Sequence, residues 1–228
     1  MVLAVGALLA IPGGPVLLVA AAVVALVLAI VAYLYAGRVV LGLSHARPAS
    51  PDDEPRYHNL VEGLCVSAGL PKPELYVIDD EAPNSFATGR NPAHAAIVVT
   101  TGLLQTLSRM ELEGVLAHEL SHIRSNDTLV TSLGTALVGL PLMPTGPLAA
   151  HLLGSLVGRG RERDADIGGV RLTRYPPGLA AALEKLRLAG AASIPASRAT
   201  AHLWISSPLD TDDGTTRLEA RIAALRDM

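Results

Sequence analysis

Residues 110–127 read MELEGVLAHELSHIRSND. Leu112, Val115, Leu116 and Leu120 recur at the spacing of one helical face, so the stretch reads as a mostly apolar α-helix. Within it stand His118, Glu119 and His122, an H-E-x-x-H pattern. Residues four apart share a helical face, so the two imidazoles can reach one point in space. Neutral imidazole is a good ligand for zinc, and Glu119 stands beside the first histidine, where it can take a proton from an attacking water. Three polar groups on an apolar helix are costly to bury unless something satisfies them, and a metal would do so.

Upstream, residues 1–43 are almost unbroken hydrocarbon. The run from Pro15 to Ala36 carries no charge and is long enough to cross a bilayer. Tyr33 and Tyr35 stand near its end, as interfacial aromatics do. Val2 to Ile11 is too short to span alone, which leaves either a single helix or a hairpin turning at Pro12-Gly13-Gly14-Pro15. No basic residue precedes the apolar run, as a cleaved leader would require, so a retained anchor is expected. Arg38 and Arg47 follow the span and no basic residue precedes it. That asymmetry puts the metal-binding portion on the cytoplasmic side of a cell (plasma or inner) membrane. The expected organisation is an anchor over 1–45 and a metal domain over 46–228, entered through the proline-rich linker RPASPDDEP.

Composition bounds the rest. The chain has 228 residues, half of them hydrophobic and 17% charged, with a net charge of -3 and no basic run, which excludes nucleic acid as a partner. The single cysteine, Cys65, rules out an intrachain disulfide and reads as a buried core thiol in a reducing compartment. A helix is expected over Pro55–Leu70, ended by Pro71 and Pro73. Strands are expected at Glu74–Ile78 and Ala95–Thr100, and the segment APNSFATGRNP between them is rich in turn residues. Another helix begins at Thr101, and helices close the chain over Gly178–Ala189 and Thr216–Arg226. The fold class is therefore α+β, mainly α, with a small sheet.

Residues 128–158 lack Asp, Glu, Lys and Arg and are broken by Pro141, Pro144, Gly146 and Pro147. They read either as a membrane-dipping helical hairpin or as two buried helices. Charge returns at Arg159. Glu162 and Asp166 stand one helical turn apart, either on a solvated face or with Glu162 as a third metal ligand.

Three ordered blocks resemble the HtpX-like membrane metalloproteases, relatives of the CAAX prenyl endopeptidases. They are NSFATGRNPAHAAIVVTTGLL (Asn84–Leu104), LEGVLAHELSHIRSNDTLV (Leu112–Val130) and RGRERDADIGG (Arg159–Gly169). The resemblance implies a zincin-like metalloprotease domain behind an N-terminal transmembrane helix or hairpin. One Zn²⁺ per chain would be held by His118, His122 and Glu162, with Asp166 supporting a ligand histidine and Glu119 as the catalytic base. Asn84, Ser85, Phe86, Ala87 and Thr88 would lie at a sheet edge, where a polypeptide substrate adds as a strand. The implied activity is a zinc-dependent endopeptidase at the lipid bilayer, acting on damaged or misfolded membrane proteins. The family's His-Pro-Pro before the last helix is missing here, and His202 is the histidine that could steady the oxyanion instead. Two alternatives stand beside this reading. One is a catalytically silent scaffold that binds membrane proteins. The other is a prenyl-protein endopeptidase, which would need a larger intramembrane chamber than so short a chain offers.

Overall fold

A computed structural model describes residues 14–139, 160–189, 203–206 and 212–228. The chain divides into two units, residues 1–35 and 36–228. The first contains most of helix α1 (Gly14–Leu43). Val16, Leu17, Val19, Val23, Val24, Leu26 and Leu28 on it all expose half or more of their surface. A helix that is apolar on every side and uncovered by protein suits a bilayer. Residues Val16–Leu43 form the one helix, among those described, long and apolar enough to cross a membrane. At about 1.5 Å per residue it exceeds a hydrocarbon core of roughly 30 Å. The anticipated turn at 12–15 lies mostly outside the described residues.

The second unit is a small sheet packed on helices. Its strands are β1 (Arg47–Pro48), β2 (Glu74–Ile78), β3 (Ser85–Gly89) and β4 (Ala95–Thr100), in the spatial order β1-β2-β4-β3. β2 and β4 are parallel, whereas β3 runs antiparallel to β4 with Ser85 opposite Val99. Ala95 to Thr100 are buried throughout, the run expected of a central strand covered on both faces. The turn-rich composition of 82–92 conceals β3. Pro83, Asn91 and Pro92 bracket the strand instead of breaking it, and Phe86 packs edge-on against Trp204 at 4.8 Å.

Helix α2 (Pro55–Ala68) ends earlier than its prolines suggest. Gly69 adopts φ 65°, and the amides of Gly69 and Leu70 return to Val66 O and Cys65 O, so a left-handed glycine cap closes the helix before Pro71 is reached. Cys65 is buried there, as expected of a core thiol. Thr100 caps α3 (Thr101–Thr106) by accepting the amide of Leu103.

The central element is α4 (Arg109–Arg124), started by a capping box between Ser108 and Glu111. Leu112, Val115, Leu116, Ala117, Leu120 and Ile123 are almost completely buried. The helix does not run on to Asp127. Asn126, at φ 59°, breaks it and opens α5 (Asp127–Gly139) in a new direction. Thr128, Thr131, Ser132 and Thr135 of α5 are buried, and the Ser132 hydroxyl meets the Gly89 amide and Thr88. The beginning of the uncharged 128–158 stretch is thus a helix against β3, and 140–158 lie outside the described residues.

Helices α6 (Arg161–Thr173), α7 (Pro176–Ala189) and α8 (Asp212–Arg226) complete the unit. A methyl group on Gly169 would stand 2.9 Å from the His118 amide nitrogen, so α6 crosses α4 almost backbone to backbone. This crossing carries the first turn of α6 to the two histidines. Leu218, Ile222 and Leu225 bury one face of α8.

Candidate metal centre

The i, i+4 geometry of α4 brings His118 Nε2 and His122 Nε2 to 3.2 Å, with both rings buried. Glu162, in the first turn of α6, completes the group from the facing helix. Its Oε2 lies 3.5 Å from His118 Nε2 and its Oε1 3.4 Å from His122 Nε2. One ligand atom from each residue can be chosen so that all lie within 4.8 Å of one another. Zinc–nitrogen bonds of about 2.0–2.1 Å at the tetrahedral angle hold ligand atoms about 3.3 Å apart, so the set fits a small divalent metal. Glu162 Oε2 is buried and makes no well-aligned hydrogen bond among the described residues, its close neighbours being His118 Nε2 at 3.5 Å and Arg221 Nη1 at 3.1 Å, so it keeps acceptor capacity that a metal could use.

Each histidine has a carboxylate behind it. Asp166 Oδ1 lies 2.8 Å from His118 Nδ1, and Asp127 Oδ2 lies 3.3 Å from His122 Nδ1. A carboxylate there keeps the proton on Nδ1 and turns the Nε2 lone pair toward the shared point. The break at Asn126 is what brings Asp127 back over the ring of His122.

Arg221 of α8 ties the carboxylates together. Its Nε and Nη2 each donate to Asp166 at 2.8 Å, a two-bond fork, and Nη1 lies 3.1 Å from Glu162 Oε2. Nη1 also donates to the Ile205 carbonyl at 3.2 Å. Nothing in local spacing links Arg221 to a site 55 residues earlier. The available signal is that it falls within the apolar stripe of Leu218, Ile222 and Leu225, where an arginine needs a buried acid. Asp127 had a weaker signal, a carboxylate one helical turn past His122.

Burial works against charge throughout this cluster, and proximity decides the balance. Burial pushes the His118 imidazole down, but Asp166 and then Glu162 outweigh it and raise it to about 9. His122 is likewise raised, with Asp127 and Glu162 overcoming burial. Burial would lift Glu162, yet both histidines and Arg221 hold it well below the usual carboxylate range. The hydrogen bond to His122 draws Asp127 down to about 2. Glu119 moves the other way. Burial raises it, and the nearby histidines and Ser85 only moderate the rise.

The residues anticipated from sequence fall into three groups. His118, Glu119, His122, Glu162 and Asp166 converge. In the strand segment Ser85 alone reaches Glu119, with its Oγ 2.6 Å from Oε1. The other strand residues turn elsewhere. The Asn84 side chain bonds the backbone of Ser206, Phe86 packs on Trp204, and Thr88 pairs with Ser132. His202 lies outside the described residues.

Peptidase family M48 matches residues 51–212, a span that contains every part of this cluster except Arg221. A protein named Protease HtpX homolog from Tropheryma whipplei (strain Twist) is 39% identical over 212 residues, covering 79% of this chain and 73% of that protein. Its namesake from Paraburkholderia phytofirmans is 33% identical over 246 residues, covering 91% and 86%. A third, from Thermoanaerobacter pseudethanolicus, is 35% identical over 215 residues, covering 78% and 72%.

The charge balance makes the stability of this unit depend on pH. With His118 raised from 6.5 to about 9, its stabilising contribution is complete below about pH 6.5 and is lost as pH rises toward 9. Thermal unfolding of metal-free protein should therefore shift to lower temperature across that window. Metal uptake should release protons there, measurable as a buffer-dependent heat by calorimetry. Arg221→Met keeps the packing but strips Asp166 of its fork, a change expected to cost about 3 kcal/mol in denaturant unfolding of the metal-free protein. An unaltered unfolding midpoint would show that the fork contributes nothing.

Proposed function

This chain belongs to peptidase family M48 and is a membrane-associated metalloendopeptidase, and we propose that it works with one zinc ion held by His118, His122 and Glu162. Residues 46–228 form the catalytic portion and 1–45 the anchor. The observation that carries the reading is the 3.2 Å approach of the two Nε2 atoms, with Glu162 opposite and a buried carboxylate at the next position on the same helix. Zinc bound at these ligands supplies Lewis acidity toward the scissile carbonyl and acidifies the attacking water.

The chain's own residues supply the rest. Glu119 takes the proton of the attacking water and returns it to the leaving amine, and its raised pKa suits both halves of that exchange. Asp166 and Asp127 keep each ligand histidine in the tautomer with a free Nε2. The substrate adds along β3. Hydrogen bonding of Asn84 to Thr100 and of Arg90 to His94 means that Ser85, Ala87 and Gly89 turn their backbone groups away from β4. The Ser85 carbonyl is occupied by the Ile205 amide and the Gly89 amide by Ser132. Ala87 alone, among the described residues of β3, keeps both its amide and its carbonyl without a partner on that edge. An extended polypeptide pairing at Ala87 would be held through its main chain, with little demand on side-chain identity.

That suits proteolysis of damaged or misfolded membrane proteins at the cytoplasmic face of the inner membrane, where Arg38 and Arg47 orient the chain. A silent scaffold would have no use for Glu119 aimed beside the ligands. The matched relatives are named HtpX proteases, which favours this reading over a prenyl-protein endopeptidase.

The test compares cleavage of casein and of a denatured membrane protein by zinc-loaded protein in detergent and by its Glu119→Gln variant. The variant should bind one equivalent of zinc and lose activity about 100-fold or more, the usual scale for general-base catalysis. Equal activity in the two proteins would remove Glu119 from the mechanism.

A further inference from the structure

Ser85 belongs to the strand anticipated to receive substrate, yet its hydroxyl is already committed. Its Oγ donates to Glu119 Oε1 across 2.6 Å, within the range of a hydroxyl bound to an ionised carboxylate. Ser85 is fully buried and Glu119 is 2% exposed. A buried hydroxyl that gives its only proton to a carboxylate has no donor left for a substrate.

Ser85 itself is held from several directions. Its amide donates to Asn84 Oδ1 at 3.1 Å and its carbonyl accepts the Ile205 amide at 3.0 Å. Asn84 in turn is clamped. Its Nδ2 donates to Ser206 O at 2.7 Å, its Oδ1 accepts from the Ser206 amide at 3.2 Å, and its own amide donates to Thr100 Oγ1 at 2.9 Å. The carbonyl of Ile205 is gripped by Arg221, the same side chain that holds Asp166 and approaches Glu162. One rigid frame therefore reaches the carboxylates behind the histidines through Arg221 and reaches Glu119 through Ile205 and Ser85.

The geometry points to Ser85 as a positioning residue. By holding Oε1 of Glu119, it fixes the plane of that carboxylate and leaves Oε2 as the oxygen that meets the attacking water. A glutamate turns about three side-chain bonds, and without an anchor it would spend much of its time out of reach of that water. Ser85 thus acts from β3 on the base itself and not on the substrate.

This inference rests on Glu119 being the base, and the experiment separates the two claims. Ser85→Ala removes one oxygen from a buried site and leaves the strand's backbone contacts in place. The measurements are kcat and KM on one fluorogenic peptide, zinc affinity by chelator competition, and Tm, with Glu119→Gln run in parallel. For Ser85→Ala, kcat should fall about tenfold or more, the scale of one hydrogen bond to a charged group, while KM and zinc affinity hold steady and Tm drops only by the few degrees that one lost buried hydrogen bond costs. An unchanged kcat with an inactive Glu119→Gln overturns the role of Ser85 and leaves the base in place. A raised KM at constant kcat makes Ser85 a substrate contact. A parallel fall in zinc affinity, Tm and kcat makes it structural support only. An active Glu119→Gln removes the base itself.

Discussion

Two imidazole nitrogens 3.2 Å apart in a buried helix are the constraint on which the rest of the unit depends. The pair can share at most one hydrogen bond between the two nitrogens, so a buried imidazole pair at this distance needs a further partner. Glu162 faces the gap, and Asp166 and Asp127 stand behind the rings. Asp166 and Glu162 hold His118 near 9 against the effect of burial, and Asp127 and Glu162 raise His122 likewise. The close crossing at Gly169 has the same purpose, since any thicker contact would move Glu162 away from the histidines.

The frame extends further than the ligands. Arg221 neutralises Asp166, approaches Glu162 and holds the backbone at Ile205, which in turn pairs with the edge strand beside Glu119. The final helix is therefore part of the centre although it lies outside the His118, His122 and Glu162 group. The relatives named as proteases match most of this chain, and membership of peptidase family M48 makes peptide hydrolysis the chemistry that the frame serves.

Much of this was legible in the residues. The apolar periodicity around His118 and His122 defines α4, and the turn-length spacing of Glu162 and Asp166 puts both on one face of α6. Strand β3 was harder to see. Its five residues lie among Pro, Asn and Gly, whose turn preference is real but acts at the strand's ends. Helix α2 ends at Ala68 and not at the expected Leu70 because Gly69 caps it before the prolines can. Asp127 depends on a left-handed Asn126 that redirects the chain, and Arg221 on the packing of a helix distant in sequence. Both are products of tertiary structure, which leaves only weak traces in local spacing.

The most direct test of the centre is X-ray absorption at the zinc edge of the purified, zinc-loaded protein. The arrangement predicts a light-atom shell at about 2.0–2.2 Å containing two imidazoles and carboxylate or water oxygen, with no sulfur. Glu162→Gln should keep the imidazole signature while weakening binding. A sulfur shell, a single imidazole, or a shell unaltered by that substitution would contradict the assignment of His118, His122 and Glu162 as the ligand set.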